Sequence, residues 1–203
     1  METVHEWVTR LFPTPGYFVE AGAHDGFGDS STYRLEKSCG WTGICVEASS
    51  AGCGLRWSRA CRIDNRALWS ATGRSVAFLE VDGDGVELSG IVETLDEAYE
   101  RAELNHTVRF VETVSLTDLL AQHNAPQFIE FLGLDTEGSE LEILAAHDFN
   151  RFMFRAIAVE HNGVDDRRQA LRHLLAGKGY RLEVPDAWRV EDWFVWEGAA
   201  NAT

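Results

Sequence analysis

Little in this sequence breaks the chain. Four prolines in 203 residues, with no Pro/Ser-rich stretch, are too few to punctuate two domains. No internal repeat or low-complexity tract is present either, so one domain spanning 1–203 is expected, long enough to bury a sizeable core. The four cysteines, Cys39, Cys45, Cys53 and Cys61, form no CxxC pair, which removes the usual zinc frameworks. Basic runs with interleaved aromatics are missing: 18 basic residues face 33 acidic ones, for a formal net charge of -15. That balance repels a phosphate backbone and argues against a nucleic-acid partner. No apolar stretch approaches the length of a membrane span. The first residues lack the basic start and apolar run of a signal peptide, so a cytoplasmic protein with reduced thiols and no membrane partner is expected.

What is present is an alternation of short apolar strands with amphipathic helices, the pattern of a parallel sheet covered on both faces. A leading helix at 3–12 stops at Pro13 and Pro15. Strands are expected at 17–20, 43–47, near 61–67, at 128–135 and at 156–160. Further strands are expected at 75–80 and 108–114, and a late hairpin at 180–184 and 193–196. Helices should start from Ser30 or Ser31, Ser49 or Ser50, Ser115, about Gly138, and 165. The helix from Gly138 should bury Leu141, Leu144 and Ala145. Residues 81–106, rich in Gly, Asp and Glu, read as a mobile excursion or lid.

Four strands end in an acid: Glu20, Glu47, Asp135 and Glu160. In an open α/β sheet, ligands bind outside the carboxyl ends of the strands. These acids should therefore line one crevice, although an acid there can also simply cap the following helix. The loop after the first strand reads Gly22-Ala-His-Asp-Gly26-Phe-Gly28 and lacks the second glycine of the dinucleotide fingerprint. A carboxylate at Glu20 would repel a diphosphate but suits a ligand carrying an amino group and a sulfonium, such as S-adenosylmethionine. Glu47 can accept hydrogen bonds from a ribose diol, a role nicotinamide cofactors share. Asn65 and Arg66 are placed to meet an adenine edge or to form a polar turn.

Four segments carry a family resemblance: Phe18-Val-Glu-Ala-Gly-Ala-His-Asp-Gly26, Gly40-Trp-Thr-Gly-Ile-Cys-Val-Glu47, Leu134-Asp-Thr-Glu-Gly-Ser-Glu-Leu-Glu-Ile-Leu144 and Val159-Glu-His-Asn162. Together they resemble the successive motifs of FkbM-type methyltransferases, from about Tyr17 to Trp196. The resemblance implies a class I methyltransferase fold: a doubly wound, mostly parallel seven-stranded sheet whose last hairpin is antiparallel. It also implies O-methylation, often of a sugar or natural-product hydroxyl, so an O-methyltransferase acting on a sugar or glycosylated metabolite, with a small-molecule or glycan acceptor, is expected. Position 24 is His where many relatives have Asn. Cofactor contacts are thus expected from Glu20, Gly22, Ala23, His24, Asp25, Gly26, Glu47, Ala48, Asn65, Arg66 and Asp135.

A hydroxyl acceptor needs help losing its proton, from a base, a metal, or both. Asp135 is the first candidate, because a carboxylate closing the apolar run Phe131-Leu-Gly-Leu134 needs a reason to be there. Glu137 follows as a base or as a first-turn helix acid. Asp135, Glu160 and His161 could hold Mg2+ or Mn2+, or form an acid–histidine network with His161 or Glu137 as the base. Trp188, Trp193 and Trp196 belong either to an acceptor pocket or to core and homodimer packing. Two other classes stay open: a nicotinamide-dependent oxidoreductase on a similar sheet, and a non-catalytic binding module.

Overall fold

A computed structural model describes residues 2–28, 30–83, 85–95, 105–187 and 190–198. In chain order the elements are α1 (Val4–Leu11), β1 (Tyr17–Ala21), α2 (Tyr33–Cys39), β2 (Thr42–Val46), α3 (Leu55–Ser58), β3 (Arg62–Asp64), β4 (Ala67–Trp69), β5 (Ser75–Val81), β6 (Gly90–Ile91), β7 (His106–Ser115), α4 (Leu116–Gln122), β8 (Phe128–Leu134), α5 (Glu140–Ala146), β9 (Met153–Glu160), α6 (Asp165–Gly177), β10 (Tyr180–Ala187) and β11 (Glu191–Trp196). Seven strands form one sheet in the order β10-β11-β9-β8-β1-β2-β3, with β11 alone running antiparallel to its neighbours.

The apolar runs sit at the centre because parallel strands bury both faces. Strand alternation sends Val19, Ile44, Leu132 and Ile157 to one side, where they meet Leu119 of α4, Leu144 of α5 and Leu171 of α6. Phe18, Cys45, Phe131 and Ala156 go to the other, against Trp7 of α1, Leu35 of α2 and Leu55 of α3. Trp193 lies in this second layer, its ring centroid 5.0 Å from that of Trp7, and Trp196 stacks on Phe128. These two tryptophans are packing residues, while Trp188 lies outside the described residues. Among the described residues no helix is long and apolar enough to cross a membrane.

The strand expected near 61–67 is in fact two. Asp64 accepts the Arg66 backbone N–H at 3.0 Å and grips its guanidinium at 2.9 and 2.6 Å. This Asx turn ends β3 and redirects the chain. β4 then leaves for a second sheet, ordered β4-β7-β5-β6, which also takes in the strands expected at 75–80 and 108–114. The excursion expected over 81–106 contains a short 3-10 turn at Val86–Leu88 and β6, and its residues 84 and 96–104 lie outside the described ones. α5 starts at Glu140, because Glu137 and Gly138 take left-handed φ values of 56° and 113°. Ile143 and Leu144 are its buried apolar residues, and Ala145 is exposed. The helix expected from Ser49 or Ser50 begins as a 3-10 turn at Ser50–Gly54, with Ser49 at its N-cap, and continues into α3.

His147, after α5, donates from Nε2 to the Phe152 carbonyl at 2.9 Å and accepts from Thr117 Oγ1 at Nδ1, 3.1 Å away. Burial pushes its pKa down to about 4 from 6.5. Between those values the unfolded chain binds the extra proton, so His147 destabilises the fold as pH falls from about 6.5 to about 4, by about 3 kcal/mol in all. His147→Asn should therefore lose less stability than wild type between neutral and acid pH in urea titrations. Equal pH dependence in the two proteins would contradict this.

Candidate active site

The register of the parallel strands builds the site. Ala21 pairs with Val46 and with Leu134, and Leu134 pairs with Val159. The next residues, Gly22, Glu47, Asp135 and Glu160, therefore stand side by side at one edge of the sheet. They line a cavity of about 270 Å³, closed on the far side by Phe78 of β5, Ile91 of β6 and the turn carrying Glu87 and Ser89. The second sheet is thus a wall of the site.

Glu20 stands two levels lower, paired with Cys45, and does not line this cavity. Its carboxylate is consumed locally. It accepts from the Ser30 and Thr32 hydroxyls at 2.9 and 2.5 Å, from the Ser31 N–H at 2.7 Å, and from the buried Arg59 guanidinium at 2.9 Å. These bonds tie Glu20 to the start of α2, beside a small hollow that it lines with Gly22 and Asp135.

Glu47 does face the cavity. His24 and Ser49 donate their backbone N–H groups to its two oxygens at 2.8 and 2.7 Å. Each oxygen keeps a lone pair for a hydroxyl donor. His24 reaches Glu47 by taking a left-handed φ of 48°. Gly22 (φ 76°) has no room for a side chain: a Cβ there would lie 1.6 Å from the Asp135 carbonyl oxygen. Gly22 and Ala23 both donate to the Val46 carbonyl, at 3.0 and 3.1 Å. Gly26 (φ 74°) closes the turn onto Ala23, and the Asp25 carboxylate accepts from Phe27 and Gly28 N–H, away from the cavity.

Ala48 and Arg66 line the cavity, but the Arg66 guanidinium is held by Asp64 and Gln122. Asn65 lies outside it and braces the Glu47 carbonyl at 3.1 Å. Arg109 of β7, which no motif singled out, donates to the Ala48 carbonyl and to Glu80, the latter at 2.5 Å, while Glu80 accepts the Ser50 N–H at 2.7 Å. This pair pins the second sheet to the loop after β2.

The opposite end of the cavity is a row of carboxyls. Burial and the neighbouring charge of Glu160 push Asp135 well above the usual carboxylate range, and Asp135 hydrogen-bonds Glu160. The Asp135 side chain is open to the cavity, and the protein packed around that cavity supplies the desolvation. Glu160 is raised to about 7, first by burial and then by the charges of Glu137, Glu140 and Glu191, with the Asp135 bond opposing. Asp135, Glu140 and Glu160 each offer an oxygen within 4.8 Å of the others. Glu140 is also the acceptor for the Thr136 and Gly138 N–H groups, at 2.7 and 3.1 Å.

His161, the expected third member with Asp135 and Glu160, does not join them. One residue past Glu160, its ring turns to the other side of the strand end, 3.9 Å from Asp192, and its Nδ1 accepts the Gly163 N–H. Glu140 takes the third place instead. Glu137 lines the cavity and accepts from Asn162 Nδ2 at 3.0 Å. Asn162 and Glu140 lay within the motifs quoted above, at the polar ends of β9 and the 135–140 loop, and that position was the available signal for them.

Residues 20–182 match the family model described as the methyltransferase FkbM domain. Among solved structures, the FkbM methyltransferase of Methylobacillus flagellatus KT superposes with a TM-score of 0.51 at 14% identity. That match covers 89% of this chain and 43% of the other, so this chain spans less than half the length of that protein. Precorrin-6y C5,15-methyltransferase of Geobacter metallireducens GS-15 superposes with a TM-score of 0.50 at 11% identity, covering 96% of this chain and 86% of the other. At these identities the likenesses speak for the fold. No curated protein sequence matches the chain significantly.

Proposed function

The chain belongs to the FkbM family of S-adenosylmethionine-dependent methyltransferases, and from that premise we propose that it methylates a hydroxyl of a sugar or a glycosylated metabolite. The observation that carries this reading is a cavity with two unlike ends. One end has a glycine-tight loop and an oriented Glu47; the other has carboxyls whose proton affinity is raised by burial.

The residues present fit the cofactor. Glu47 suits the two hydroxyls of a ribose, and Phe78, Leu68 and Ile91 supply an apolar wall for a planar base. S-adenosylmethionine supplies a methyl group on a sulfonium. The chain's own residues must align the acceptor oxygen and take its proton. Asp135, Glu137 and Glu160 face the acceptor side, and a carboxylate with a raised pKa is a stronger base than one in water. A second reading adds a divalent cation on Asp135, Glu140 and Glu160, favoured by the mutual approach of their oxygens.

The test is a homocysteine-release assay on glucose, galactose and phenyl glycosides, with and without exhaustive chelation. A methylated hydroxyl is the expected product, and S-adenosylhomocysteine should raise the melting temperature while NAD does not. Transfer confined to nitrogen or carbon acceptors would sink the proposal, and full turnover after chelation would remove the cation.

A further inference from the structure

We propose that Asn162, oriented by Arg167, is a positioning residue that holds Glu137 and Glu160 in working alignment and ties them to the β6 wall of the cavity. The inference rests on the methyltransferase reading for its kinetic consequences but not for its geometry.

Two carboxylates at one end of a small cavity repel each other and, left alone, would splay. The Asn162 amide prevents this. Its Nδ2 donates to Glu137 Oε2 and to Glu160 Oε2, at 3.0 Å in each case, one hydrogen for each. The amide cannot be turned the other way. Its Oδ1 accepts from Arg167 Nη1 at 2.9 Å, and a guanidinium has no lone pair to offer an NH2 group in exchange. Arg167 therefore fixes which end of Asn162 faces the carboxylates.

The backbone is bent to make this possible. Asn162 and Glu137 both adopt left-handed conformations, φ 51° and 56°, unusual outside glycine. Such strain persists only where the surroundings over-determine it. Here the surroundings come from the other sheet. A Cβ on Gly90 of β6 would lie 3.2 Å from Glu137 Cβ, and one on Gly138 would lie 2.4 Å from the Thr94 carbonyl oxygen and 3.0 Å from Arg167 Nη2. Arg167 Nη2 itself donates to that carbonyl at 3.4 Å. Arg167 thus contacts the turn after β6 with one nitrogen and orients Asn162 with the other. The β6 wall of the cavity and the carboxylates that meet the acceptor hydroxyl are held by one side-chain pair.

Asn162→Gly separates the amide from the backbone, because glycine keeps a left-handed φ without strain. Misplaced reacting groups lower turnover by about a hundredfold for shifts near 1 Å. Asn162→Gly should therefore lower kcat by about tenfold to a hundredfold on whichever phenyl glycoside the wild type methylates, and leave KM for S-adenosylmethionine and calorimetric S-adenosylhomocysteine affinity within about twofold. A merely structural role would instead move affinity and melting temperature with kcat. A second readout needs no acceptor. In wild type the two Asn162 Nδ2 protons should resonate apart from free amides in nitrogen–proton spectra, one shifting in Glu137→Gln and the other in Glu160→Gln. Wild-type kcat in Asn162→Gly, or Nδ2 protons indifferent to both substitutions, would overturn the inference. A wild-type protein that neither binds S-adenosylhomocysteine nor releases homocysteine would instead defeat the methyltransferase reading, with the amide spectrum still deciding the geometry.

Discussion

Asp135→Asn should lower turnover by about a hundred- to ten-thousandfold while S-adenosylhomocysteine still binds, the range expected when general-base action is removed. Asparagine matches aspartate in shape and can still donate to Glu160, so the β8–β9 contact survives the change. What disappears is a carboxyl that exchanges its proton with Glu160, so the pair can no longer take up the proton of the acceptor. In the wild type that group is held by burial and by Glu160 at a proton affinity far above that of an exposed carboxylate. The Asp135 backbone, whose N–H bonds the Ala21 carbonyl at 3.1 Å, is untouched, and with it the floor under Gly22. Steady-state kinetics together with calorimetry decide the matter. Wild-type kcat would move the chemistry to Glu137 or Glu160; parallel loss of affinity and turnover would make Asp135 a cofactor contact instead.

Gly22→Ala should have the largest effect on stability and cofactor binding together. The added Cβ would sit 1.6 Å from the Asp135 carbonyl oxygen, which is backbone and cannot swing aside, and alanine also resists φ 76°. Overpacking and positive φ together cost about 2–4 kcal/mol. The loop after β1 must then separate from the end of β8, which removes the floor from beneath the cavity. Gly73→Ala is the control: its φ is 75°, but no atom lies within 4 Å of a built Cβ. Gly73→Ala should lose only about 1 kcal/mol by denaturant titration and keep full S-adenosylhomocysteine affinity. If the two alanine variants behaved alike, backbone strain alone would explain both, and the close approach of Gly22 to Asp135 would carry no weight.

The resemblance carried by the 18–26, 40–47, 134–144 and 159–162 segments located the cavity, because three of the four acids that close strands do line it. Side-chain direction was harder to read. Glu20 and His161 are each displaced along their strands relative to the cavity level, and with a repeat of two along a strand a small displacement decides what a side chain meets. Glu20 consequently meets Arg59, and His161 meets Asp192.

The sequence by itself determined the local signals: apolar runs long enough for strands, amphipathic spacing for α1, α4 and α6, the Ser115 cap, and acids or glycines where parallel strands finish. These are legible because each depends on residues a few positions apart. Only the tertiary structure decided that residues 67–69, 75–81, 90–91 and 106–115 leave the main sheet to form a second one walling the cavity. It alone joined Arg109 to Ala48, and Arg167 through Asn162 to Glu137 and Glu160. Such contacts depend on strand register and on partners distant in the chain, and neither residue type nor spacing encodes them locally.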